Sequence, residues 1–366
     1  MRKFDRYIAK NIFVTTLFAV AILSGVFMLG NIFKEARPLF VGKHPSPMLV
    51  VEFIFSVLPF SLMFTIPFSF LAAVMLVFGR LSADNEIQSM RMAGFSLPRI
   101  ALPVFGIAIL LSGFCFWLNA EVAPRAKSRV KTLLIEAVKE DPNKFLDPGV
   151  VQTQLKSKRI YVRERKGDML YGLHIHDLGN ELEQTYSESY IYADSALIYV
   201  NMEQNQIQLK LTNALIMPND TNGTRIPMKV DMVDPVLFNF NIDEKRRLKA
   251  SSMTNNEIRA YLATDPEISK KDRAKFSQTV TSRQSFSLAC IAFALIGVPL
   301  GMGSKRKETS TGFVMSMVIG MGYFLFHIFA GQIKDDTSSL ATTLFWLPNI
   351  LAVIIAIWLF RRARYK

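Results

Sequence analysis

RIALPVFGIAILLSGFCFWLNA, residues 99–120, runs for 22 residues with no Asp, Glu or Lys and a single Arg at its first position. A helix of roughly 20 apolar residues crosses a ~30 Å hydrocarbon core. PRAKSRVKTLLIEAVKE, residues 124–140, follows with a helical period but a basic, amphipathic composition. A membrane helix therefore continues into water at this junction, and that reading decides the fold. Working outward, five more apolar runs lie at about 12–33, 52–78, 285–303, 312–333 and 341–360. The run at 285–303, taken alone, is short enough to be a buried core helix, but six such runs in one chain define a helical membrane protein. Residues 1–11, MRKFDRYIAKN, place basic charge before a long apolar run, as a signal peptide does. The run is too long for one, and Lys34, Glu35 and Arg37 stand where a small-residue cleavage site would follow Gly30, so a retained first helix is expected.

The chain has 366 residues, half of them hydrophobic, yet carries a formal net charge of +13. Such a composition requires apolar and charged residues to be segregated along the chain. The amino terminus, the loops after the second and fourth runs, and the carboxyl tail together hold 14 Lys and Arg, against four in the loops after the first and fifth. The positive-inside rule then predicts both termini in the cytoplasm, with residues 121–283 outside, on the other face of the membrane. That segment holds 25 basic and 22 acidic residues, so the excess charge is mainly a topology signal and no nucleic-acid partner is needed. Cys115 and Cys290 both fall in apolar runs, which leaves no disulfide framework. The expected organisation is 1–120 with three membrane helices and a short cytoplasmic helix near 82–94, then 121–283, then 284–366 with three more.

Past Pro142 the helical period gives way to alternation. RIYVRE, the turn Lys166-Gly167-Asp168 and MLYGLHIHDL read as a hairpin. SYIYADSALIYV, QIQLKLTNALIM and VLFNFNI follow between Asn, Asp, Gly and Pro clusters. Short strands with no helices between them predict an antiparallel sandwich or roll of the jelly-roll kind, flanked by helical stalks. His174 and His176 share one face of a strand, but no Cys, third His or carboxylate cluster accompanies them, so they read as surface strand residues and no metal is expected.

The chain lacks a phosphate-binding loop: Gly301-Met302-Gly303-Ser304-Lys305 has neither the spacing nor a preceding strand. His-Glu-x-x-His and Gly-x-Ser-x-Gly are also absent. The interiors of the second, third, fourth and sixth runs hold no charge, whereas an ion-coupled carrier keeps one at membrane depth. Any energy for transport must enter from a partner, and no cofactor is expected.

Three features remain that can carry function. Residues 79–98, GRLSADNEIQSMRMAGFSLP, form too long a loop for a simple connector. Ser82 or Asp84 can cap a short helix, Asp84 and Glu86 suit its positive end, and Gly94 ends it before Pro98. Ile87, Met90 and Arg91 give that helix a mixed apolar and charged face, fit either to turn the chain at the interface or to dock a partner. At the outer end of the first helix, Lys34 and Arg37 either snorkel to the interface or meet an anionic headgroup. In the fifth run Gly312, Ser316 and Gly320 make a small-residue stripe extended by His327 and Gly331, suited to close helix packing. Pro59 and Pro67 are expected to kink the second helix.

The stretch with Glu86, Ser89-Met90 and Ala93-Gly94, between the second and third helices, resembles the coupling helix of the lipopolysaccharide-export permeases, the LptF/LptG family. Asp5-Arg6-Tyr7-Ile8, Pro124 and Gly297-Val298-Pro299-Leu300 also match. The run Glu136 to Val150, with Asp141-Pro142-Asn143 and Pro148-Gly149-Val150, is more similar to the LptF type. The resemblance implies a permease paired with a sister permease resembling LptG and driven by a cytoplasmic ATPase dimer resembling LptB. Jelly-roll proteins resembling LptC and LptA would take the lipopolysaccharide onward by edge-to-edge strand pairing. It further implies that Glu86, with Asp84 and Arg91, lies in the ATPase groove. Lys34, with Arg37, would face lipid A phosphates, although Asn31 stands where the family often has another basic residue. Gly312, Ser316, Gly320 and His327 would line a lateral gate. The competing reading is a non-transporting anchor whose β-domain scaffolds an envelope complex, which has no need of Glu86.

Overall fold

The structure is a computed structural model describing residues 2–35, 47–140, 148–149, 151–152, 158–177, 189–201, 206–218, 227–239, 250–264, 268–303, 309–332 and 338–364. Arg37, Asp141-Pro142-Asn143, Val150, the end of VLFNFNI past Asn239 and the basic loop at 305–307 lie outside these residues. Among the described residues six helices are long and apolar enough to cross a membrane, matching the six apolar runs. Their elements are α1 (Arg2–Glu35), α2 (Pro47–Ala83), α4 (Leu97–Trp117), the pair α7 (Lys270–Ser287) and α8 (Ala289–Gly303), α9 (Thr309–Gln332) and α10 (Ser338–Arg364). Between α2 and α4 lies the seven-residue α3 (Glu86–Met92), and α5 (Ala123–Glu140) and α6 (Asn255–Thr264) flank the strands. The contacts divide the chain into one compact unit of residues 1–36, 47–131 and 248–366 and a second of 37–46 and 132–247.

In the first unit, α2 is the central helix. Phe70, Leu71, Ala73, Val74 and Phe78 are fully buried on it, whereas α1 and α9 leave one large apolar side chain after another exposed. Exposed Phe and Leu on a membrane helix face acyl chains, so the hydrophobic pattern reports depth rather than burial. Gly297, Gly301, Gly312 and Gly320 let α8 and α9 close onto α2: a Cβ on Gly320 would stand 2.6 Å from Phe68 Cδ1, and one on Gly301 2.8 Å from Phe78 Cβ.

Two spans break at neighbouring residues. After α4 the chain makes a π turn over Leu118–Val122, just before Pro124, whose ring cannot accept a regular α turn behind it. The fourth span is interrupted at Leu288, between α7 and α8. Asn119 Nδ2 in the π turn donates to Ser287 Oγ at 3.0 Å and joins the two breaks. The carbonyl of Ser285 beside the second break accepts from Asn349 Nδ2 at 3.1 Å and Tyr323 OH at 3.4 Å. Inside a bilayer a helix break is tolerated only where neighbouring side chains supply such partners.

The inserted domain is antiparallel, as its alternation predicts. Strands β1 (Val151–Gln152), β2 (Lys158–Lys166), β3 (Met169–Asp177), β4 (Ser189–Asn201), β5 (Gln206–Pro218) and β6 (Met228–Asn239) pair in sequence order in one sheet. Among the described residues this is a meander, without the Greek-key crossings of a two-sheet jelly roll. The ladders skip Gly172, Asp194 and Asn213, three residues in register across β3, β4 and β5. Gly172 and Asn213 have φ of 60° and 51°. Around that row the buried residues are spaced three apart, Leu170 and Leu173, Ala193 and Ala196, Leu211 and Ala214, and together they form one apolar core. A left-handed residue resets the side-chain phase, so one face stays apolar through the break. His174 Nδ1 lies 2.6 Å from Tyr190 OH, and its ring packs among Tyr161, Tyr190 and Tyr192.

Candidate functional site

A cleft of about 400 Å³ opens at the end of the bundle where residues 121–283 leave and rejoin the membrane helices. Its lining comes from repeated helical positions. Asn119, Ala123 and Lys127 recur every four residues, and Lys275, Gln278, Thr279, Ser282, Arg283 and Phe286 form one stripe of α7. Phe60, Phe64 and Phe345 supply much of the apolar wall. Lys127 Nζ lies 5.7 Å from the centroid of the Phe60 ring. Arg129, half a turn further along α5, donates from Nε and Nη2 to Glu52 Oε1 at 2.8 and 2.6 Å, which ties α5 to α2 and holds Lys127 over the cleft. Phe27 of α1 stacks on Phe64 at 6.3 Å, so the same half of α1 that ends at Lys34 packs against the aromatic wall.

The cations of this cleft have different duties. Arg283 donates from Nη1 to the Met253 carbonyl at 2.8 Å and Asn255 Oδ1 at 2.9 Å, and from Nη2 to the Ala250 carbonyl at 3.0 Å. It therefore clasps the turn leading into α6, which is closed by a capping box: Thr254 N–H donates to Glu257 Oε2 and Glu257 N–H to Thr254 Oγ1. Its charge still contributes to the cleft. His327 Nε2 lies 2.9 Å from Ser282 Oγ, and its ring packs between Phe286 and Phe345. Its Nδ1 is buried without a hydrogen-bond partner among the described residues. Ser285 Oγ donates to the Phe345 carbonyl, so the floor of the cleft is a hydrogen-bonded joint between the fourth, fifth and sixth spans.

At the opposite end of the bundle, α3 is set between two left-handed residues, Asn85 at φ 59° and Gly94 at φ 89°. Ile87 is buried and Met90 partly so, against Leu81, Ile100 and Ile8 of the main core. That packing leaves Asp84 and Arg91 exposed and Glu86 partly exposed at the first position of α3. Tyr7 OH stands 3.5 Å from Glu86 Oε1, long for an O–H···O bond, which leaves the carboxylate able to accept a stronger donor.

Glu86 and Arg91 lie on this short surface helix, whereas Asp84 stands in the turn before it: the cap position is Asn85, neither Ser82 nor Asp84 as the sequence suggested, and its left-handed backbone makes no side-chain cap hydrogen bond. Lys34 lies on the last turn of α1. Gly312, Ser316, Gly320 and His327 face inward: the two glycines meet Met75 and Phe68 of α2, and His327 meets the α7–α10 joint. The stripe thus serves tight packing inside this chain, while Phe313, Met317, Met321 and Leu325 form the exposed face of α9. Sequence reasoning missed Lys127, Lys275 and Arg283. The signal was present as the i, i+3, i+4 stripe from Lys275 to Phe286, inside what the sequence marks only as a helical stalk flanking the strands. His174 and His176 are engaged with tyrosines, and among the described residues no group of three or more His, Cys, Asp or Glu lies close enough to hold a metal.

Six membrane helices, an antiparallel domain inserted after the third, and a basic, aromatic-walled cleft at the point of insertion define a multi-pass helical membrane protein with an inserted β-domain. The family model described as lipopolysaccharide export system permease LptF/LptG matches residues 6–362, and the chain belongs to that family. A comparison with curated proteins returned no significant match.

Proposed function

We propose that this chain is the permease subunit of an ATP-driven exporter that draws lipopolysaccharide out of the inner membrane and passes it to its own β-domain. The observation that carries the reading is the cleft, in which Lys127, Lys275 and Arg283 border a wall of Phe60, Phe64, Phe286 and Phe345. Cations beside an aromatic wall suit an amphiphile with an anionic headgroup and acyl chains, and attraction to phosphate is strong where water screens it poorly. Lys34, in the last turn of α1, is proposed to act with these cations, as is Arg37, which lies outside the described residues. In this reading the cleft faces the periplasm, both termini and α3 face the cytoplasm, and the residue ranges 1–120, 121–283 and 284–366 act as helices, lipid acceptor and helices.

The sequence carries no phosphate-binding loop, and in this reading hydrolysis belongs to a separate ATPase dimer. Glu86 is the group that meets it, flanked by Asp84 and Arg91. A sister permease completes the membrane path, and separate periplasmic β-proteins accept the lipid by adding strands to the sheet. The test is hydrolysis by the purified complex in lipid nanodiscs, with and without lipopolysaccharide. Glu86→Lys abolishes the lipid-stimulated component while membrane insertion is kept, and Lys127→Glu with Lys275→Glu lowers lipid occupancy. Stimulated hydrolysis that survives Glu86→Lys refutes the coupling role.

A further inference from the structure

The first turns of α1 touch the segment around Glu86 at three separated points. The Phe4 ring stacks on Phe95 with centroids 5.9 Å apart and planes at 24°. Asp5 Oδ2 pairs with Arg99 Nη2 at 2.7 Å, both side chains about a third exposed at 32% and 30%. Tyr7 OH reaches Glu86 Oε1 at 3.5 Å. These contacts engage the start of α3, the turn after it and the first turn of α4. Ile8 and Ile12 anchor the same stretch of α1, fully buried in the core that holds Leu81, Ile87 and Ile100.

The segment needs such an external hold. Seven residues make two turns, too few for a helix to be stable by itself. A left-handed residue on either side, Asn85 and Gly94, sets α3 off from the ends of α2 and α4. Its own connections are the covalent ones to α2 and α4, the burial of Ile87, and the contacts from α1. Of α1, α2 and α4, α1 crosses the bundle as a helix without an internal proline: its 34 residues form one helix, ~51 Å long at 1.5 Å per residue. The other end of that rod carries Lys34.

We infer that Phe4, Asp5 and Tyr7 are positioning residues for energy coupling. They fix the tilt of α3, and so the presentation of Glu86, and they make α1 the element through which movement of α3 reaches the lipid-facing end. The inference rests on the coupling role proposed for Glu86. The α2 route differs in kind, because Pro59 and Pro67 interrupt the hydrogen-bond ladder of that helix.

The experiment measures lipopolysaccharide released per ATP hydrolysed by the complex purified from its own membrane and reconstituted in proteoliposomes. General destabilisation lowers release and hydrolysis together, whereas loss of the clamp lowers their ratio. Asp5→Arg is expected to reduce the ratio about fivefold, the effect of a partly exposed ion pair worth ~1 kcal/mol. The exchanged pair Asp5→Arg with Arg99→Asp restores it. If Asp5→Arg does not assemble, the near-isosteric Asp5→Asn is measured in its place, with the same fall expected. A ratio unchanged in the Asp5 variant, in a system where Glu86→Lys abolishes stimulation, overturns the clamp and leaves the role of Glu86 standing. If Glu86→Lys is silent as well, the coupling reading fails first and the clamp falls with it.

Discussion

Replacing Arg283 with Met separates its structural duty from its place in the cleft. The guanidinium holds three acceptors, the carbonyls of Ala250 and Met253 and the side-chain oxygen of Asn255. All three residues are at least nine-tenths buried, at 7%, 9% and 5% exposure. Methionine fills nearly the same length and donates nothing. A buried acceptor left without a donor is destabilised by about 1–3 kcal/mol. The three share one donor group and one wall of the cleft admits water, so the sum is smaller than three independent losses, about 3 kcal/mol. At ~1.4 kcal/mol per decade this opens the turn before α6 about a hundredfold more often. Amide hydrogen exchange reads that population directly: Ile258 to Leu262 should exchange about a hundredfold faster, while α2 amides stay as protected as before. Arg283→Lys should fall between, because an ammonium lacks the planar fork that serves two carbonyls and an amide together. Exchange within about threefold of the unaltered protein in Arg283→Met would refute the clasp and return Arg283 to the cleft as a ligand contact alone.

Other outcomes follow from the same geometry. Gly320→Leu forces a side chain into Phe68, where even a Cβ stands 2.6 Å from the ring, and should lower thermal stability in detergent by about 1–3 kcal/mol, read as a fall in unfolding temperature. Gly172→Ala puts a Cβ 2.9 Å from that of Arg163 at a φ of 60°, so the sheet should lose about 1–3 kcal/mol, seen as faster exchange of its amides. Partial burial first, then the charges of Arg163 and His176, pull His174 below the usual histidine range. The fold favours its neutral form, so this contribution to stability is full above the ordinary pKa of about 6.5 and is lost as pH falls through the lower folded value. A urea midpoint that declines on acidification below 6.5, and declines less in His174→Gln, is the expected result.

Residues 99–120 and the five runs like them were enough to determine the architecture. Apolar length is set by bilayer thickness, a constraint that acts on the chain locally and needs no partner. The inserted strands were equally legible from alternation, and Ile87 and Met90 marked the inward face of α3 because helix period and burial agree there. Only the tertiary structure decided the rest. Gly312 and Gly320 read as a seam of unspecified partner, since a small residue says that something comes close without saying what. Folding showed it to be Phe68 and Met75 of the same chain. The phase slip along Gly172, Asp194 and Asn213 was decided by the folded sheet, because a three-residue spacing such as Leu170 to Leu173 does not by itself say which backbone residue absorbs the change of face. The cleft could not be read because Lys127 and Lys275 are about 150 residues apart, each an ordinary basic residue on an amphipathic stretch. They become one site where two spans break side by side, and the hydrogen bond from Asn119 to Ser287 holds those breaks together.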